Sequence, residues 1–124
     1  MAVMAEEMTS SMNLIGSYAF ECAKSITEKN FSDALRWSQK EWQVRCSMWP
    51  GIQTEETIAV SQQATLLGAQ LCRVCGAGGG GVMAMWLDEK KHQQLEESLK
   101  ALNSNGFRVP AAPAQKGIEV LVEK

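Results

Sequence analysis

The chain has 124 residues, 45% of them apolar and 21% charged, with a formal net charge of −2; these are the proportions of one ordinary globular domain. So small a net charge, with no basic cluster, leaves no electrostatic footprint for nucleic acid or for a membrane surface. No stretch approaches the roughly 18 consecutive apolar residues that a membrane span needs, and Glu6 and Glu7 near the start are unlike a secretory signal.

The first half reads as three helices. From Glu6 to about Glu28, the residues Met8, Met12, Ile15, Ala19, Cys22, Ala23 and Ile26 recur at spacings of three and four, which predicts one buried helix face. Asn30 ends this run, and Ser32 is the expected N-cap of a second helix carrying Leu35, Trp42, Cys46 and Trp49. That helix must stop near Trp49, because Pro50 disfavours helical backbone at the residue before it. Thr54 caps a third helix, with Glu55 and Glu56 in its first turn, where the helix dipole favours acids. Gly68 is placed to end it.

The second half changes character. Ala69 to Cys75 and Val82 to Leu87 are short apolar runs of strand length, separated by a glycine loop short enough for a hairpin. Asp88 is the expected cap of a helix running to about Leu102, with Leu95, Leu99 and Leu102 on its buried face, and Asn103 to Gly106 closes it. Phe107 to Val109 and Gly117 to Glu123 read as two more strands; Ile118, Val120 and Val122 give the second its alternating pattern. The order is ααα-ββ-α-ββ. It predicts a single α+β domain over residues 1–124, with an antiparallel sheet and helices packed on one of its faces.

Gly76-Ala77-Gly78-Gly79-Gly80-Gly81 places five glycines in six residues. Each costs backbone entropy on ordering, so such a run belongs where the chain needs positive φ angles or where something approaches the backbone closely. Successive N–H groups can also form a concave anion site, and phosphate is the obvious guest. An unliganded hairpin connection is the plain alternative, although a hairpin needs only one or two glycines. The loop formally satisfies G-x-G-x-x-G, but a strand-like run and not a helix follows it, and the later segment Phe107-Arg108-Val109-Pro110 offers no acid, so a dinucleotide-binding fingerprint lacks its context. A Walker A loop is excluded, because Val82-Met83 stands where Lys-Ser/Thr is required.

Taken with its flanks, Arg73-Val74-Cys75-Gly76-Ala77-Gly78-Gly79-Gly80-Gly81-Val82-Met83 resembles the third motif of the GHMP kinases, the family of galactokinase, homoserine kinase and mevalonate kinase. The heptose-phosphate sugar kinases are closest in flavour. The likeness extends over roughly residues 12–124, through the helix ending at Trp49-Pro50-Gly51-Ile52 and the closing Asn105-Gly106-Phe107-Arg108-Val109. It implies a ferredoxin-like C-terminal lobe with Arg73 and Gly76, Ala77, Gly78, Gly79, Gly80 and Gly81 facing a cleft for ATP, Mg²⁺ and a small sugar or sugar-phosphate acceptor. The family's N-terminal lobe, with its Pro-x-x-x-Gly-Leu-Gly-Ser-Ser loop, catalytic residues and Mg²⁺ ligands, has no counterpart in this sequence. No catalytic residue or metal ligand is therefore assigned to this chain. The isolated chain is expected to be inactive, an N-terminal kinase lobe is the implied partner, and a non-catalytic interaction or regulatory module is the alternative.

The remaining chemistry-bearing residues have plainer readings. The four cysteines, Cys22, Cys46, Cys72 and Cys75, are too few and too irregular for a secreted disulfide scaffold. They read as small buried hydrophobes, and a cytoplasmic location follows as the expectation. Cys72 and Cys75, three apart on a strand, should point to opposite faces and so hold no metal together. His92 should be half-buried and hydrogen-bonded. Trp37, Trp42 and Trp49 cannot all share one helix face, and Met4, Met8 and Met12 form either core or a partner surface. An exposed apolar helix face of that kind would serve a homo-oligomer or an absent lobe.

Overall fold

The computed structural model describes residues 2–76, 78, 79, 81–102, 106–109, 111, 112 and 114–122, without the side chains of residues 2 and 3. Helix α1 spans Ala2–Thr27, α2 Phe31–Met48 and α3 Glu55–Leu66; strands β1 (Leu71–Val74) and β2 (Met83–Trp86) follow, and a 3₁₀ turn, Glu89–Lys91, leads into α4, His92–Ala101. The class is α+β, as the sequence predicts.

Local chemistry sets most of the boundaries. α1 ends in a paired-carbonyl stop: the Lys29 N–H donates to Ile26 O at 3.0 Å and the Asn30 N–H to Ser25 O at 2.8 Å, with Lys29 itself at φ 59°. Asn30 then starts α2, its Oδ1 accepting from the Asp33 N–H at 3.2 Å, so the cap is Asn30 and not Ser32. One residue closes the first helix and opens the second, which is why α1 and α2 form a tight antiparallel hairpin. α2 stops at extended Trp49, ahead of Pro50. Thr54 and Thr57 cap α3 reciprocally. Gly68, at φ 92°, ends it with the same two-bond stop, from Gly68 N–H to Thr65 O and Ala69 N–H to Ala64 O.

The buried face of α1 is rotated from the expected one. Ser11, Ile15, Tyr18, Cys22 and Ser25 turn inward, whereas Met8, Met12, Ala19, Ala23 and Ile26 are exposed. Two apolar stripes lie about 100° apart on this helix. Contacts with α2 select between them: Tyr18 packs its ring 5.5 Å from that of Trp37, and the Cys22 thiol donates to Ala34 O at 3.3 Å. Of the three tryptophans on or beside α2, Trp42 is buried, Trp37 half-buried and Trp49 exposed.

β1 and β2 pair antiparallel with Leu71 opposite Trp86 and Val74 opposite Met83. Cys72, Val74, Met83 and Met85 share the face covered by α3 and α4. Ala64, Cys72 and Leu95 form the core there, packed by Leu67, Ala69, Met83, Met85, Leu87 and Leu99. Leu102, expected on that buried face, is exposed one residue beyond the helix end. α2 does not join α3 and α4 on this face. It lies along the outer edge of β1, where Gln39 Oε1 accepts the Cys72 N–H at 3.0 Å, so the expectation of helices on a single face holds only for α3 and α4.

The two C-terminal strands are absent from the described residues: 107–109 and 117–122 carry no strand structure, and Glu123 lies outside the described residues, as do Asn103 to Asn105. Ile118 is 99% exposed and Val120 and Val122 nearly so. An alternating pattern supplies only a face to bury; a strand also needs a neighbour for its backbone groups, and among the described residues β1 and β2 pair only with each other.

Candidate functional site

The glycine loop joins β1 to β2, closed at its base by the Cys75 N–H donating to Val82 O at 2.8 Å. Gly76, Gly78, Gly79 and Gly81 all have φ between 80° and 94°, backbone that side chains disfavour by roughly 1–2 kcal/mol per residue. Ala77 and Gly80, which the resemblance also assigns to the loop, lie outside the described residues. The loop rests on the turn that follows α2. The Gly79 N–H donates to Ile52 O at 3.0 Å, and a Cβ on Gly78 would stand 3.0 Å from Ile52 O and 3.1 Å from its Cα. A Cβ on Gly76 or Gly81 would meet nothing. One side of the loop is thus glycine for close packing, and the other for conformation alone.

The supporting turn is held in its own way. Gln53 Nε2 donates to the Cys46 sulfur on α2 at 2.8 Å, and the Trp49 ring covers Gly51. Among the described residues, the N–H groups of Gly76, Gly78 and Gly81 take part in no internal hydrogen bond. They are the donors that an anion would meet.

Arg73 points elsewhere. Its Nη1 lies 2.6 Å from Glu41 Oε2, donates to the Ser38 backbone oxygen and hydroxyl at 3.3 and 3.2 Å, and its guanidinium sits 5.5 Å over the Trp42 ring. The Oε2 contact is a charge contact without hydrogen-bond alignment. Glu41 Oε1 accepts from Arg45 Nε at 3.0 Å and from its Nη2. The side chain of Glu41 is only 7% exposed, so it needs both arginines. The residue that the resemblance aims at a phosphate cleft is therefore committed to tying β1 to α2.

Sequence reasoning passed over Ser38, Glu41 and Gln53, and gave Ile52 no part in seating the loop. A signal for Glu41 exists: Ala34, Ser38, Glu41 and Arg45 fall at helical spacing on one side of α2, and a carboxylate on an inward face requires a cation.

The other candidates resolve as plain structure. Cys72 is buried and Cys75 exposed, the expected divergence, and the Ser61 hydroxyl and Cys72 sulfur are 3.5 Å apart. Burial pushes the Cys72 thiol above its ordinary value against that hydroxyl contact, and burial likewise raises Cys46 against the Gln53 hydrogen bond. His92 is half-buried, its Nε2 3.0 Å from Leu87 O. Among the described residues no three His, Cys, Asp or Glu side chains converge as metal ligands. Two open grooves, one along α2 beside Gln70 and a polar one along α4 beside Arg108, include none of the described residues of the glycine loop.

No protein-family model matches the chain, and no curated protein matches it. No helix among the described residues is long and apolar enough to cross a membrane.

Proposed function

We propose that this chain acts as the C-terminal lobe of a GHMP-type small-molecule kinase, contributing its glycine loop to one wall of a cleft completed by a separate N-terminal lobe. The observation that carries this reading is the loop itself: positive-φ glycines seated on the 49–53 turn, with the N–H groups of Gly76, Gly78 and Gly81 left without internal partners. Phosphoryl transfer depends mainly on positioning and charge stabilisation. ATP would supply the transferred phosphoryl group, and the part of this chain would be to orient phosphate or acceptor oxygens through backbone donors, with no side-chain cation. By the same resemblance, the residues that hold Mg²⁺ would belong to the partner lobe. The acceptor class follows the resemblance, a hydroxyl of a sugar or sugar phosphate.

The same reading implies a ferredoxin-like, four-stranded sheet in the assembled enzyme. Segments 107–109 and 117–122 would become strands once a neighbouring edge is available, and the alternation of Ile118, Val120 and Val122 supports that. The alternative is a non-catalytic interaction or regulatory module. It is favoured by one observation, the commitment of Arg73 to Glu41.

The test is reconstitution. Co-expressed with a lobe carrying the Pro-x-x-x-Gly-Leu-Gly-Ser-Ser loop, the chain should give ATP-dependent phosphorylation of a sugar. Gly81→Ala should abolish this activity while lobe association persists. Turnover by the isolated chain, or full activity in Gly81→Ala, would overturn the reading.

A further inference from the structure

The hairpin of β1 and β2 has one closed edge and one open one. Hydrogen-bonded and unbonded pairs alternate along an antiparallel ladder, and the Cys75 N–H donates to Val82 O. In this register Arg73 and Ala84 therefore exchange bonds, whereas Cys72 and Met85, like Val74 and Met83, do not. The Cys72 N–H fits this phase, since it turns outward and donates to Gln39. Met83 and Met85 must likewise turn their N–H and C=O away from β1, and among the described residues no third strand takes them up. Met83-Ala84-Met85-Trp86 has no charge, no proline and no bulge, the devices that usually keep a bare edge from pairing.

The handedness of the chain fixes which segment belongs on this edge. α4 follows β2 and covers the face that Met83 and Met85 share. Viewed with α4 in front and β2 running upward, these two side chains point forward. L-residues so placed direct their N–H and C=O to the right, which leaves β1 on the left. A parallel strand reached through α4 also falls on the right, because such crossovers are almost always right-handed. The segment beyond α4 with a strand pattern is 117–122, and residues 103–116 give it roughly 45 Å of reach.

The side chains fit one parallel register, with Val120 beside Met85. Ile118 then lies beside Met83 and Val122 beside Leu87, all on the face of α4, where Met83, Met85, Leu87 and Leu99 are only half-buried. Leu121 lies beside Trp86, itself 59% exposed, and Glu119 beside Ala84. Glu119 C=O and Leu121 N–H would meet the N–H and C=O of Met85, the slanted bonds of a parallel pair.

We propose that segment 117–122 docks on the open edge of β2 as a third, parallel strand. The structure holds the undocked arrangement, with Ile118 99% exposed; a single tethered strand docks reversibly, because ordering its backbone offsets much of what pairing contributes. The inference does not rest on the kinase reading, and lobe reconstitution could fail with this pairing intact.

Hydrogen exchange followed by NMR on the full chain tests it. The Met85 amide should exchange at least about tenfold more slowly than in Leu121→Pro, which has no N–H for Met85 O. The Arg73 and Ala84 amides, bonded within the hairpin, should exchange alike in both chains. In a Cys75→Ser background, Trp86→Cys with Leu121→Cys should close an intramolecular disulfide readily. Trp86→Cys with Glu119→Cys should close at least about tenfold more slowly, its Cα atoms standing roughly 8 Å apart and beyond disulfide reach. Equal Met85 exchange in the two chains overturns the proposal. So does protection that grows with protein concentration, the mark of a strand from a second copy. Equal or faster closure of the Glu119 pair overturns the parallel register as well.

Discussion

Arg73 on β1 and Glu41 on α2 hold each other across the interior, Nη1 to Oε2 at 2.6 Å, with Arg45 closing the far side of the carboxylate. The pair lies 32 residues apart in the chain and ties the sheet to the helical hairpin. Truncating one partner of a buried pair costs roughly 3–5 kcal/mol. Arg45 remains in place and the Arg73 side chain is 23% exposed, so Arg73→Ala should cost about 2–3 kcal/mol. Urea unfolding measures it. A double-mutant cycle with Glu41→Gln should return a coupling of about 1–2 kcal/mol. An Arg73→Ala variant with unchanged stability would return the arginine to the loop as a phosphate ligand.

Gly78 and Gly81 have nearly the same backbone angle, φ 94° and 92°, in different surroundings. Alanine at Gly81 meets only the conformational penalty, about 1 kcal/mol. Alanine at Gly78 meets that penalty and the Ile52 backbone at 3.0 and 3.1 Å, an overpacking cost of roughly 1–3 kcal/mol more. Urea midpoints should therefore fall further for Gly78→Ala than for Gly81→Ala. Equal losses would mean that the loop does not rest on the turn as described.

What the sequence discloses follows the range of the interaction. Thr54, Gly68 and the break before Pro50 act within one helical turn, and each does what its residue type predicts. The hairpin around the glycine loop is equally local. The face of α1 is not, because Met8, Met12 and Ile26 satisfy helical spacing as well as Ile15 and Cys22 do, and only contact with Trp37 and Ala34 chooses. Leu102 fails at a helix end, where periodicity outlasts the helix itself. The site divides in the same way: the run of glycines is plain in the sequence, whereas its footing on Ile52 and the diversion of Arg73 to Glu41 are tertiary facts.

Lys29 is the one described non-glycine residue with positive φ, at 59°, and it is exposed. It occupies the position after α1 where glycine is the usual residue, because left-handed backbone strains any side chain. Lys29→Gly should relieve about 1 kcal/mol of that strain, while the greater freedom of glycine in the unfolded chain offsets part of it. The expected net effect is a stabilisation of about 0.3–0.7 kcal/mol, read as a rise in the urea midpoint with an unchanged slope. A fall would show that the lysine side chain contributes a contact of its own.

The thiols give the chain a pH dependence with a definite sign. Burial raises Cys72, and likewise Cys46, above the ordinary 9.0, so in alkali the unfolded chain releases these protons before the folded chain does. Between the ordinary and the raised values the unfolded state binds fewer protons, and stability must fall as pH rises. Below the ordinary value both states hold the protons, and the contribution is fully present. Urea unfolding from pH 7 upward should show a flat region and then a decline beginning near pH 9, one that Cys72→Ala reduces. Alkylation with iodoacetamide at pH 8 tests the same burial directly: exposed Cys75 should react first and Cys72 last, at a rate set by opening of the fold. Prompt modification of Cys72 would mean that α3 and α4 do not close over the sheet face that carries it.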